Sequence, residues 1–189
     1  MQNRNLRNIR APKNQKGLTL IELAVGLAIV LAITALVVGV YTTTSRSQRT
    51  NDVQTQLTQI SSQVRSMAPT GNFDGITHAV LANSKKIPES WVGGTAAAPT
   101  ITTPFGGTIE VVQADVNGGT ANGFDIVLND LPVAACNDII TNSQANFVEI
   151  VTNIGSVKAY GADAAAAAAI ATNCTPATGD TVDVTFTAV

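Results

Sequence analysis

A chain of 189 residues with one histidine and two cysteines is poor in the side chains that most often carry nucleophilic or metal chemistry, although thirteen acids could still supply a carboxylate pair in space. The histidine, His78, has no cysteine or carboxylate near it at a metal-ligand spacing, so it reads as a surface residue and no metal site is expected. No combination of serine, histidine and aspartate stands out. The glycines of "PFGG" and "NGG" lack the lysine and hydroxyl that a phosphate-cradling loop carries at a fixed spacing. The sequence points away from an enzyme and implies no cofactor.

Positive charge is the second scarcity. Of eleven Lys and Arg, five (Arg4, Arg7, Arg10, Lys13 and Lys16) precede Leu18, with no acid among them. The six that remain face thirteen Asp and Glu, so the chain from Leu18 onward carries a net charge of −7. A body of that sign has no basic patch with which to release counterions from a phosphate backbone, and no direct nucleic-acid binding is expected. The basic head is instead a topology signal: it holds residues 1–17 on the cytoplasmic side while the later chain is exported.

Charge of either sign is missing from Leu23 to Tyr41. As a helix this run rises about 28 Å, roughly the hydrocarbon thickness of a bilayer. A secretory signal would have a shorter apolar region with a small-residue cleavage site behind it, whereas here the only processing site lies in front. Proline is missing from Leu18 to Ala68, and Pro69 with "TGN" supplies the stop, so one helix of about fifty residues is predicted. Beyond Tyr41 its pattern changes: Val53, Leu57, Ile60, Val64 and Met67 form the stripe of an amphipathic helix that packs on a soluble domain. Gly26 and Gly39 interrupt the apolar half, either as helix-packing positions or, at Gly39, as a point where the helix bends.

Residues 70–107 read as a long exposed loop with a short helix at 75–83. A period of two then marks strands at 108–113, 124–129, 147–152, 156–160 and 181–186, with "NGGTANG" as a hairpin connection. "LPVAACNDIITN" reads as a short helix entered at Pro132, with Val133, Cys136, Ile139 and Ile140 on one face. "ADAAAAAAIATNC" reads as another, capped by Asp163. Cys136 and Cys174 both fall in the exported part, where the compartment favours a disulfide; the alternative is two buried thiols.

Glu22 is the residue that these patterns leave unexplained, because a carboxylate inside an apolar run is costly without a partner. "KGLTLIE", Lys16 to Glu22, resembles the processing site of type IV prepilins, in which a basic leader ends in glycine and the glutamate is the fifth residue after it. Further along, "ANSKKIPESW", "TPFGGTIEV", "GFDIVLNDLPVAAC" and the late second cysteine resemble the globular part of type IVb pilins, the class of bundle-forming, toxin-coregulated and plasmid thin-pilus subunits. The absence of the proline that many type IVa pilins carry near the position of Gly39 agrees with the IVb class.

The resemblance implies an α+β fold, the pilin roll, with a long N-terminal helix laid on an antiparallel sheet and a disulfide delimiting a C-terminal region. It implies a leader, 1–17; a helix, 18–68, with a transmembrane and filament-core part at 18–41 and an amphipathic part at 42–68; and a head, 69–189. Prepilin peptidase would cut between Gly17 and Leu18, Leu18 would be N-methylated, and Glu22 would direct assembly by pairing with the new amine of a neighbour. The partners implied are further copies of the chain, the peptidase, the inner membrane before assembly and the pilus assembly machinery within it. The end product is an extracellular filament serving adhesion, aggregation or conjugative contact. A pseudopilin of type II secretion and a minor pilin at the filament tip are the rival readings.

Overall fold

The computed structural model describes residues 19–189, and it divides into two compact units, one ending at Thr43 and the other running from Thr44 to Val189. Gly17 and Leu18 lie outside the described residues. Helix α1, Leu20–Met67, is continuous and contributes to both units. In the first unit its side chains are apolar on every face. In the second, Val53, Leu57, Ile60 and Val64 are fully buried at steps of four, three and four, as the stripe predicts, while Met67 is only partly covered.

The second unit is built on one seven-stranded sheet in which every pairing is antiparallel. Its strands are β1 Val92–Thr95, β2 Ala98–Thr102, β3 Thr108–Ala114, β4 Gly123–Pro132, β5 Glu149–Thr152, β6 Ser156–Lys158 and β7 Thr181–Ala188, arranged β1-β2-β3-β4-β7-β5-β6. Alternation decides which face is covered. Phe124, Ile126 and Leu128 of β4 and Val182, Val184 and Phe186 of β7 join the α1 stripe in a single core cluster. Asp125, Val127, Asn129, Asp183 and Thr185 fall on the opposite face.

Strand β4 runs past the predicted end at Asn129 because of a bulge. Asp130 takes a left-handed φ of 57°, its N–H donates to Asp183 Oδ1, and the shifted register brings Leu131 back into the core opposite Val182. Strands β1 and β2 correct the reading of 70–107 as an exposed loop. They form a hairpin closed by Ala96 and Ala97, with Pro99 opposite Gly94 close to the sheet edge, where a missing N–H is tolerated. The same segment holds helix α2, His78–Asn83, capped by Thr77, and buries Phe73, Ile76, Leu81, Ile87 and Ile101. It is a structured flank of the core.

Helix α3, Val133–Ser143, follows β4 directly from Pro132 and buries Ala135, Cys136, Ile139 and Ile140. Helix α4, Ala167–Asn173, begins with Ala166 as its N-cap, so the expected cap at Asp163 is not formed: that residue lies too far before the first turn to reach its free N–H groups. Cys136 and Cys174 are joined in a disulfide, Cα atoms 5.8 Å apart, which ties α3 to the end of α4. Near this region Lys158 is buried, and its Nζ donates to the carbonyls of Gln144 and Phe147, both at 2.8 Å. It thereby holds the 3-10 turn Gln144–Asn146 that leads from α3 into β5.

Candidate functional site

The first turn of α1 gives Glu22 a partner that the sequence reading did not assign. Thr19 N–H and Thr19 Oγ1 both donate to Glu22 Oε2, at 3.1 and 3.0 Å, and Glu22 N–H donates to Thr19 Oγ1 at 3.3 Å. This is a reciprocal capping box, and its signal was present in the spacing of Thr19 and Glu22 before an apolar run. The carboxylate is thus held at the helix entrance by its own chain.

From that turn to Tyr41 no face of α1 is covered. Between Leu20 and Tyr41 the large apolar side chains are 53 to 88% exposed. The helix is long and apolar enough to cross a membrane. A helix that is hydrophobic all round is stable only when every face is covered, by lipid or by other protein. Gly26 and Gly39 face open space, where an added Cβ would meet nothing within 4 Å, so each leaves a small flat area that another backbone could approach closely. The helix does not break at Gly39, whose carbonyl accepts a bond from Thr43 Oγ1.

The second unit carries grooves of mixed polarity. One, of about 360 Å³, lies between α1 and the β2–β3 turn and is lined by Asp52, Gln56, Trp91, Thr102 and Thr103 among others. Gln56 is buried there; its Nε2 donates to the carbonyl of Thr102, but its Oε1 has no hydrogen-bond partner. Another cleft, of about 510 Å³, gathers Asp115, Asp125, Glu149 and Tyr160. Burial pushes the Asp125 carboxyl above the ordinary aspartate value, opposed by the bond it accepts from Thr187 Oγ1.

Among the described residues no three of His, Cys, Asp and Glu are placed to share a metal ion. His78 corrects the surface assignment: it is half-buried at the start of α2, with Nδ1 enclosed and unpaired. Both cysteines are consumed by the disulfide.

Comparison with known proteins agrees with these features. Residues 47–189 match the PilS N-terminal family, and residues 12–40 match the prokaryotic N-terminal methylation motif. The major structural subunits of bundle-forming pilus from Escherichia coli O127:H6 and O111:H- are each 31% identical to the chain over 151 residues, covering 79% of this chain and 71% of theirs. In fold, the unit is similar to a type IVb pilin from Salmonella typhi, with a TM-score of 0.53 and 21% identity over 74% of this chain and 97% of that one. It is also similar to a type IV pilin from Vibrio cholerae El Tor biotype, with a TM-score of 0.57 and 16% identity over 75% and 99% of the two chains.

Proposed function

Because the chain belongs to the type IVb pilins, we propose that it is the major structural subunit of a pilus, processed at its N-terminus and polymerised through the apolar half of α1. Residues 1–17 serve as the leader, 18–68 as the assembly helix and 69–189 as the head. The precursor resides in the inner membrane, where prepilin peptidase cuts between Gly17 and Leu18 and Leu18 is methylated. The assembly machinery then passes the subunit into a surface filament that serves adhesion, aggregation or conjugative contact.

One observation carries this reading: an α1 segment apolar on every face, from Leu23 to Tyr41, with a single carboxylate, Glu22, at its entrance. Lipid covers such a helix before assembly and neighbouring copies cover it afterwards. Cleavage would leave a cationic amine on Leu18, next to the capping turn. In a staggered bundle that amine meets Glu22 of a neighbour, and two charges that are each costly in an apolar core become a pair that fixes register. The Thr19 bonds support this reading, because they hold the carboxylate at the helix entrance, where a neighbour's amine would compete for it.

The test is the N-terminal sequence and intact mass of subunits in sheared surface filaments, for the wild-type chain and for Glu22→Ala and Thr19→Ala. The expected result is a chain beginning with methylated Leu18, no filaments from Glu22→Ala, and near-normal filaments from Thr19→Ala, which loses only a cap worth about 1 kcal/mol. Equal loss in both variants would assign Glu22 to helix capping alone. An uncut chain confined to the inner membrane would overturn the pilin assignment of this segment.

A further inference from the structure

Charge in the second unit is segregated. From Ile87 to Val189 there are ten acidic residues and one basic residue, Lys158, which is buried. The exposed cations lie elsewhere: Arg46, Arg49 and Arg65 on α1, and Lys85 and Lys86 just after α2. Among the described residues the side chains of Arg46, Arg49, Arg65 and Lys85 make no hydrogen bond or ion pair within the chain.

Two of these features are complementary in chemistry and displaced along α1. The groove beside the β2–β3 turn presents the exposed Asp52 carboxylate and is lined by Trp91 and by Gln56, whose unpartnered Oε1 is buried. It offers acceptors and an aromatic surface, which is the environment an ammonium group requires. Lys85 sits at the position after the α2 C-cap, at a left-handed φ of 55° that glycine adopts more readily, and its side chain is exposed. Its neighbour Lys86 donates from Nζ to Ser66 Oγ, which fixes this turn against the last turns of α1. Positions 52, 56 and 66 share one stripe of the helix, with position 66 about 15 Å along the axis from 56 and about 21 Å from 52 at the α-helical rise.

We propose that the Asp52–Gln56–Trp91 groove of one copy receives the Lys85 ammonium of a second copy shifted along the α1 axis. Donor and acceptor patches are different surfaces of the same chain. The contact is therefore heterologous, and repeated by translation it extends a filament without closing on itself. It deepens the pilus reading and rests on it, adding a head-to-head contact to the α1 bundle.

A charge exchange tests this. Asp52→Lys and Lys85→Asp are made singly and together in the full-length chain, and sheared filament is measured against total subunit in the same cells. Each single change should lower filament recovery about tenfold or more, the scale of a broken interfacial charge pair, and the double variant should restore most of it. In a second arm, Asp52→Cys with Lys85→Cys should give ladders of linked subunits on non-reducing gels of filaments. Filaments that assemble normally with either single change, a double variant no better than the singles, or filaments without ladders would each overturn the contact. Failure of the wild-type chain to make any filament would instead remove the pilus reading beneath it.

Discussion

Replacing Cys136 and Cys174 together by alanine tests how the C-terminal region is held. The bridge closes a loop of 38 residues. Loop-closure entropy for that length gives about 4 kcal/mol of stabilisation at 25 °C. At this size a kcal/mol corresponds to roughly 2–4 °C in Tm, so the variant should unfold about 8–16 °C below the oxidised wild type. The effect should also be local. Helix α4 has seven residues, too few to persist alone, and buries only Ile170 against the core before the chain reaches Cys174. The bond to α3 is its main anchor. Thermal unfolding of the full chain in detergent, followed by circular dichroism, measures the first quantity, and amide hydrogen exchange across 159–175 measures the second. A stability change below about 1 kcal/mol would refute the loop-closure reasoning. Undiminished protection in α4 would show that the alanine-rich segment is held by packing.

Two further perturbations probe polar groups on which the core depends. Lys158→Met keeps the length of the side chain but strips the carbonyls of Gln144 and Phe147 of their donor. The expected cost is about 2–4 kcal/mol, read as a lower urea midpoint with unchanged slope, and an unchanged midpoint would mean that water replaces the ammonium. Asp125 has a folded-state pKa above its unfolded value because burial disfavours its charge. Its contribution is therefore fully present below the ordinary value of 3.8 and is lost as pH rises through the raised folded value. Asp125→Asn should flatten the stability profile over that window, and an identical wild-type profile would refute the assignment.

Periodicity made the framework legible. The α1 stripe and strands β3, β4 and β7 all alternate or repeat with the period of the face they bury, and each was placed from sequence to within a few residues. What escaped depends on tertiary context. "VGGTAAAPTITTPFGG" has the composition of turns, yet β1 and β2 pair there because the edge of an existing sheet supplies a template that Gly93, Gly94 and Pro99 can follow. The extension of β4 through Asp130 depends on a bond from Asp183, fifty-three residues away. Gln56 lies outside the apolar stripe of α1, and only its packing against Thr102 shows that it is buried with one acceptor unused. The Thr19–Glu22 box, by contrast, is legible locally, as a threonine three residues before a glutamate at the head of an apolar run.

The cap at Glu22 and its proposed role in assembly are compatible because they would belong to different states. In the first turn of a helix the Glu22 carboxylate gains modestly from its bonds to Thr19 and from the helix dipole where water is near. Inside a bundle of apolar helices the balance changes, since an uncompensated carboxylate there costs several kcal/mol and a single hydroxyl and amide do not offset that. An amine on a neighbouring chain does. A cap strong enough to orient the carboxylate but too weak to neutralise it leaves Glu22 available to the next subunit. The same balance would account for the one charge of the 18–41 segment standing close to the proposed cleavage position, since a carboxylate deeper in the run costs more in lipid before a partner arrives.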